Sequence, residues 1–135
     1  MGKLLEKIVN KRLEYFIESN KILNKSQCGF RRNLSTMDVL LRVVNEIKSA
    51  TQIGEVCGVF YIDLKSAFDT VWRKGILYKL AQKGLQGKLF KMICAFLEDR
   101  SIRVIMGETQ SDEKNTEAGT PQGAVLSPKL FNILM

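Results

Sequence analysis

Val56-Cys57-Gly58-Val59-Phe60-Tyr61-Ile62-Asp63-Leu64-Lys65-Ser66-Ala67-Phe68-Asp69 opens with an almost unbroken apolar and aromatic run, 56–62, and meets a carboxylate where that run ends. A short continuous apolar run of this kind predicts a strand over 56–64 covered on both faces. An acid at the end of such a strand is costly to bury unless something pairs with it. A divalent metal would offset that cost, and an oxygen-only ligand set favours Mg²⁺ over zinc or copper. Asp63 is therefore the first candidate functional residue, and capping of the following turn is the other reading of the same position.

The surrounding composition narrows the setting. A chain of 135 residues with 45% hydrophobic content amounts to one domain or a piece of one, with enough apolar matter for a real core. No apolar run reaches membrane-spanning length, and Met1-Gly2-Lys3-Leu4-Leu5-Glu6-Lys7 turns charged too early for a signal peptide. The expectation is a soluble, intracellular protein with no membrane partner. Cys28, Cys57 and Cys94 are widely spaced and unaccompanied by histidine, which excludes a zinc site of ordinary spacing and a disulfide framework. They read as reduced core residues.

The net charge of +7 suits a polyanionic partner. Seven basic residues (Lys65, Arg73, Lys74, Lys79, Lys83, Lys88, Lys91) face a single acid, Asp69, within 65–91, whereas 98–117 holds six acids against three bases. The basic part of the chain adjoins Asp63.

Taken in order, Leu5, Ile8, Val9, Leu13, Phe16 and Ile17 recur at helical spacing and predict an amphipathic helix over 3–19 whose stripe is core. Residues 20–33 follow neither period and read as a loop, with a short extended piece at 27–30. Ser35-Thr36-Met37-Asp38 fits a capped helix start, and Met37, Leu40, Leu41, Val44 and Ile47 give that helix an apolar face to about residue 49. After Asp69, Ile76, Leu77 and Leu80 mark a helix stopped by Gly84, and Leu89, Phe90, Ile93, Cys94 and Leu97 mark another. Residues 101–107 read as a strand and 108–117 as a polar hairpin. Gly119-Thr120-Pro121-Gln122-Gly123 is a loop, and Ser127-Pro128 opens a last helix that is still apolar at its end and is expected to lie uncovered. The sum is an α+β arrangement without internal repeats. No Gly-x-x-x-x-Gly-Lys-Ser/Thr follows the strand, which disfavours a P-loop nucleotide hydrolase.

Two segments together resemble a known family. Phe60-Tyr61-Ile62-Asp63-Leu64-Lys65-Ser66-Ala67-Phe68-Asp69 and Ala118-Gly119-Thr120-Pro121-Gln122-Gly123-Ala124-Val125-Leu126-Ser127-Pro128-Lys129-Leu130-Phe131-Asn132-Ile133 are similar to consecutive signature motifs of reverse transcriptases, in the form used by non-LTR (LINE-type) retrotransposons. Gln27-Cys28-Gly29-Phe30-Arg31 with Ser35-Thr36-Met37-Asp38 is similar to a third motif upstream. The resemblance implies a truncated right-hand polymerase: fingers-like helices over 1–55 and a partial palm over 56–135. It also implies an RNA template, a DNA primer, deoxynucleoside triphosphates and Mg²⁺, with Mn²⁺ as the alternative ion.

By the same resemblance Asp63 is the catalytic, metal-binding aspartate, with the main-chain carbonyl of Ile62 or Leu64 as a further ligand. Two-ion phosphoryl transfer needs shared carboxylates of this kind. Phe68 matches the bulky gate beside the sugar, Gln122 and Gly123 the nucleotide contact, and Arg31 a phosphate grip. Arg32, Lys65, Arg73 and Lys74 are candidates for nucleic-acid backbone contact. Phe68 as a core aromatic, 119–123 as an ordinary turn and Arg31-Arg32 as a solvated pair are the competing readings. The family's later aromatic-X-Asp-Asp hairpin has no counterpart in the sequence, so these residues alone are expected not to polymerise. A non-catalytic nucleic-acid-binding remnant of a mobile element is the alternative function.

Overall fold

Helix formers at 3.6-residue spacing fold where the sequence places them. The computed structural model describes residues 2–135. Its elements run α1 (Gly2–Ser19), α2 (Thr36–Gln52), α3 (Arg73–Gln82), α4 (Gly87–Leu97), β1 (Ser101–Ile102), β2 (Ile105–Met106), β3 (Thr109–Gln110), β4 (Lys114–Asn115) and α5 (Ser127–Leu134). The chain divides into two compact units, one of Met1–Ile22 with Ser66–Met135, the other Leu23–Lys65. No helix among the described residues is long and apolar enough to cross a membrane.

The core belongs to the first unit. Leu13, Ile76, Leu80, Ile93, Leu97 and Leu130 are fully buried, where α3 packs on α4 and α5 and α1 packs on α4. Truncating any one of these leucines or isoleucines to alanine removes about 2–5 kcal/mol. Of the predicted α1 stripe, Val9, Leu13 and Ile17 are buried, while Leu5 and Ile8 remain exposed. The last helix differs from expectation. Leu126, Leu130 and Ile133 are buried, because α5 turns this face onto α3. The Glu14 carboxylate pairs with Lys129 Nζ at 2.6 Å, the Val125 N–H donates to Glu6 Oε2 at 2.8 Å, and Lys79 Nζ donates to the Leu134 carbonyl. Residues 101–117 form two antiparallel pairs in place of one strand and a hairpin: β1 with β4 (Ser101 opposite Asn115) and β2 with β3 (Ile105 opposite Gln110).

In the second unit, the capped helix start is built as read. The Ser35 N–H and hydroxyl both donate to Asp38 Oδ2, at 2.6 and 2.8 Å. The apolar face of α2 forms on the helix as read and is uncovered: Met37, Leu40, Leu41, Val44 and Ile47 are all exposed. The stripe records that the helix suits a cover, and the remainder of Leu23–Lys65 contains no second helix or strand to supply one.

The strand predicted over 56–64 is the larger correction. These residues carry no regular secondary structure, and Val56, Phe60, Tyr61 and Ile62 are at least 88% exposed. A strand buried on both faces needs paired neighbours and covering layers. Among the described residues the only ladders are the two-residue pairs β1–β4 and β2–β3, neither of which includes this segment. Cys57 is exposed for the same reason, whereas Cys28 is buried and Cys94 half-buried; all three are free thiols. Burial, with the Glu98 carboxylate as the lesser cause, raises the Cys94 thiol above its ordinary pKa.

What positions the motif residues is a backbone zipper within the first unit. A turn at Ser66 (φ +53) is closed by Asp69 N–H to the Ser66 carbonyl at 2.9 Å. The Gly119 N–H then donates to the Val71 carbonyl at 2.9 Å and the Thr120 N–H to the Phe68 carbonyl at 2.8 Å. Gly119 sits at φ +82, and a Cβ there would stand 2.6 Å from the Asp69 carbonyl oxygen. Glycine is required on both counts.

Two outcomes follow for stability. Gly119→Ala should cost about 2 kcal/mol or more in denaturant unfolding, because the left-handed backbone and the Asp69 contact cannot both be kept. An unchanged midpoint would remove the zipper from the account. The Ser35 hydrogen bonds, side chain first, hold the Asp38 carboxyl below its usual range. A carboxyl with a depressed folded pKa stabilises above its unfolded pKa and loses that contribution as pH falls through the folded one. Amide exchange in the first turn of α2 should therefore quicken as pH drops from about 5 towards 2, beyond the intrinsic pH trend. Asp38→Ala should abolish that excess, and an equal excess in the variant would contradict the assignment.

Candidate active site

The zipper brings two of the sequence motifs together. On one side stand Phe68 and Asp69, on the other Gly119, Thr120, Pro121, Gln122 and Gly123. Gln122 Nε2 donates to Asp69 Oδ1 at 3.3 Å, tying the two segments through side chains as well. The Ala124 N–H reaches back to the Pro121 carbonyl at 3.3 Å with Gly123 at φ +77, so Gln122 occupies the corner of a tight turn whose next residue must tolerate a positive φ. Ser127 Oγ donates to the same Pro121 carbonyl at 2.8 Å, fixing the turn to the start of α5. Gln122 and Gly123 are exposed on this pinned loop.

Phe68 is half-buried, its ring 5.1 Å from that of Phe131 and tilted by 39°. This aromatic contact holds the ring on α5 and leaves part of it accessible. A cleft of about 360 Å³ lies at the Gln122 loop, lined by Asp69, Arg73, Arg100, Thr116, Gly119 and Gln122 among others. Thr120 Oγ1 is buried close by without a hydrogen-bond partner.

Arg73 has a place that the sequence reading did not give it. It is 8% exposed, and its Nε donates to the Gly119 carbonyl at 2.6 Å. Its Nη1 donates to the Thr116 carbonyl at 2.6 Å, and its Nη2 to Thr116 Oγ1 at 2.7 Å and the Ala118 carbonyl at 2.6 Å. Burial first, and the Arg100 guanidinium second, lower its pKa from the ordinary arginine value. A signal for this role does exist in the sequence: Arg73 and Lys74 open α3, where the helix dipole disfavours cations, so a side chain there must find its partners elsewhere. Asp69 and Thr116, too, were not expected as partners of motif residues. Lys74 is exposed.

The remaining candidates belong to the second unit. Asp63, Ile62 and Leu64 are exposed in the irregular segment, as are Lys65 and Arg32. Arg31 is half-buried and donates from Nη1 to the carbonyls of Asn24 at 3.1 Å and Gln27 at 3.2 Å, closing its own loop. Among the described residues no group of three or more His, Cys, Asp or Glu side chains gathers to hold a metal ion. A two-ion centre needs several carboxylates converging on shared ions, so the donors described here do not by themselves fit one.

Comparison with known proteins converges on one family. The family model described as reverse transcriptase (RNA-dependent DNA polymerase) matches residues 1–135. The chain is 39% identical over 133 residues to the RNA-directed DNA polymerase from mobile element jockey of Drosophila funebris, covering 98% of this chain and 14% of that protein. It is 34% identical over 131 residues to the probable RNA-directed DNA polymerase from transposon X-element of Drosophila melanogaster, with 97% and 14% covered. With the retrovirus-related Pol polyprotein from type-1 retrotransposable element R2 of Popillia japonica it shares 30% identity over 136 residues, 19% of that protein's length. No solved structure matches. The chain thus spans about 14% of the length of the jockey and X-element relatives. Its matched segments include the zippered motifs 66–71 and 118–123, and the chain belongs to the reverse transcriptase family.

Proposed function

We propose that this chain is the nucleotide-side portion of an RNA-directed DNA polymerase of a non-LTR retrotransposon. In the longer protein it would extend a DNA primer from deoxynucleoside triphosphates along an RNA template. Residues 1–55 serve as fingers and 56–135 as part of the palm. The observation that supports this reading is the union of the two motif segments: the Gly119 and Thr120 backbone bonds join the segment of Phe68 and Asp69 to the loop of Gln122, and Gln122 bonds to Asp69. A half-exposed ring braced by Phe131 suits a gate that would clash with a 2′-hydroxyl, and an exposed glutamine on a rigid turn suits a sugar-edge contact. Gly123 lets the backbone approach the nucleotide closely.

Asp63 is the catalytic carboxylate, and Mg²⁺ or Mn²⁺ the ion it would bind, with the carbonyl of Ile62 or Leu64 beside it. The described residues do not complete that centre, so polymerisation belongs to the longer protein and these 135 residues alone do not catalyse it. Arg31 would grip phosphate, while the exposed Arg32, Lys65 and Lys74 would contact nucleic-acid backbone, adding salt-dependent affinity without sequence preference.

The test is deoxynucleotide incorporation on a primed RNA template by a longer chain carrying these residues, compared with the 135-residue chain. Incorporation is expected in the longer chain only, reduced at least about a thousandfold by Asp63→Ala. Activity that survives Asp63→Ala overturns the assignment of that aspartate. Incorporation by the 135-residue chain overturns the claim that its centre is incomplete. If neither chain incorporates while both bind nucleic acid with a steep salt dependence, the family's chemistry has been lost and the basic surface alone persists.

A further inference from the structure

Lysine and arginine near a polymerase motif invite assignment to phosphate, and Arg73 lies beside the cleft at Gln122. Its donors point inward instead. All four of its hydrogen bonds go to oxygens of Thr116, Ala118 and Gly119, on the loop that leads into Pro121 and Gln122. A guanidinium taken out of water is tolerated only when its N–H groups are met, and a planar fork can meet oxygens of three residues of one loop where a single ammonium cannot. The consequence is mechanical. With the carbonyls of 116, 118 and 119 held, the Gly119 and Thr120 amides are kept in register with Val71 and Phe68. The ring of Pro121 fixes its own φ, and Ser127 holds its carbonyl. The backbone on both sides of Gln122 is thereby held, by the Gly119 and Thr120 amides before it and the Ala124-to-Pro121 turn bond across it.

We propose that Arg73 is a positioning residue for nucleotide recognition: buried at the start of α3, it sets the loop that presents Gln122, and it contacts neither nucleotide nor nucleic-acid backbone itself. The inference rests on the proposed polymerase function for its kinetic consequence, but its structural half can be judged in the 135-residue chain alone.

Two measurements separate these halves. In the 135-residue chain, a glutamate-specific protease can cut at Glu117, between the Thr116 and Ala118 carbonyls bound by Arg73, and at Glu55 in the other unit, which serves as an internal control. Arg73→Lys, which keeps the charge and loses the fork, should speed cleavage at Glu117 about tenfold relative to Glu55. Thr116→Ala, which removes a single acceptor, should give a smaller increase. Unchanged relative cleavage in both variants overturns the clamp. In a polymerising chain that includes these residues, Arg73→Lys should raise the KM for deoxynucleoside triphosphates about tenfold while kcat and the affinity for primed template stay within about twofold. Adding Gln122→Ala should then cost much less than it does alone, since the two act on one contact. A fall in kcat with KM unchanged would mark a merely structural role, and a loss of primed-template affinity with a shallower salt slope would mark direct phosphate contact; either result overturns the proposal. If the polymerising chain proves inactive before any substitution, the proposed function fails, and the clamp stands or falls on Glu117 cleavage.

Discussion

Two backbone hydrogen bonds, from Gly119 to Val71 and from Thr120 to Phe68, are the constraint on which the rest of the candidate site depends. They join segments about 50 residues apart in sequence, and they are possible only because Gly119 can take φ +82 without a Cβ against Asp69. Arg73 supplies the second half of the constraint by holding the carbonyls on the other edge of the same loop. Each individual bond is worth about 1 kcal/mol net, and together they hold the loop on both edges up to the Gln122 turn. The helical core of α1, α3, α4 and α5 provides the platform: Val71 and Ile76 are buried in it, and Phe68 reaches Phe131 on α5.

The second unit follows a different logic. The same sequence that reads as a two-face-buried strand over 56–64 is exposed, and α2 turns an apolar face outward. Apolar patches of this extent normally mark a surface made to be covered. The contrast separates two kinds of motif residue. Phe68 and Gln122 depend on contacts within their own unit. Asp63 lies in a segment to which the described residues supply neither strand neighbours nor a cluster of companion carboxylates.

Much of this was legible in the sequence, and the failures have a common cause. Helices encode their own backbone pairing, so Leu13, Ile17, Ile76, Leu80, Ile93 and Leu97 could be assigned to a core from spacing alone. The Ser35 and Asp38 cap was equally readable, since its bonds are local. A strand borrows its hydrogen bonds from other segments, and no periodicity within 56–64 tells which segments those are. The α2 stripe was legible as a helix face, but spacing within it names no partner to cover it. At the site, the motif match located Gln122 and Phe68 but not the bond from Gln122 to Asp69. Charge alone makes Arg73 a candidate for nucleic-acid backbone contact, since charge is visible in sequence and burial is not; its position at the start of α3, against the helix dipole, is the available clue to its buried place.

The Gln122 loop is tied down by hydrogen bonds within its own unit, whereas the Asp63 segment has no regular secondary structure. Residue-resolved amide hydrogen exchange of the unmodified 135-residue chain tests this contrast most directly. The Gly119 and Thr120 amides should be protected to the level of the α3 interior, while residues 56–64 should exchange at nearly unprotected rates. Gly119 and Thr120 exchanging as fast as 56–64 would contradict it, because the motif segments would then meet only transiently and the loop geometry would have to come from elsewhere.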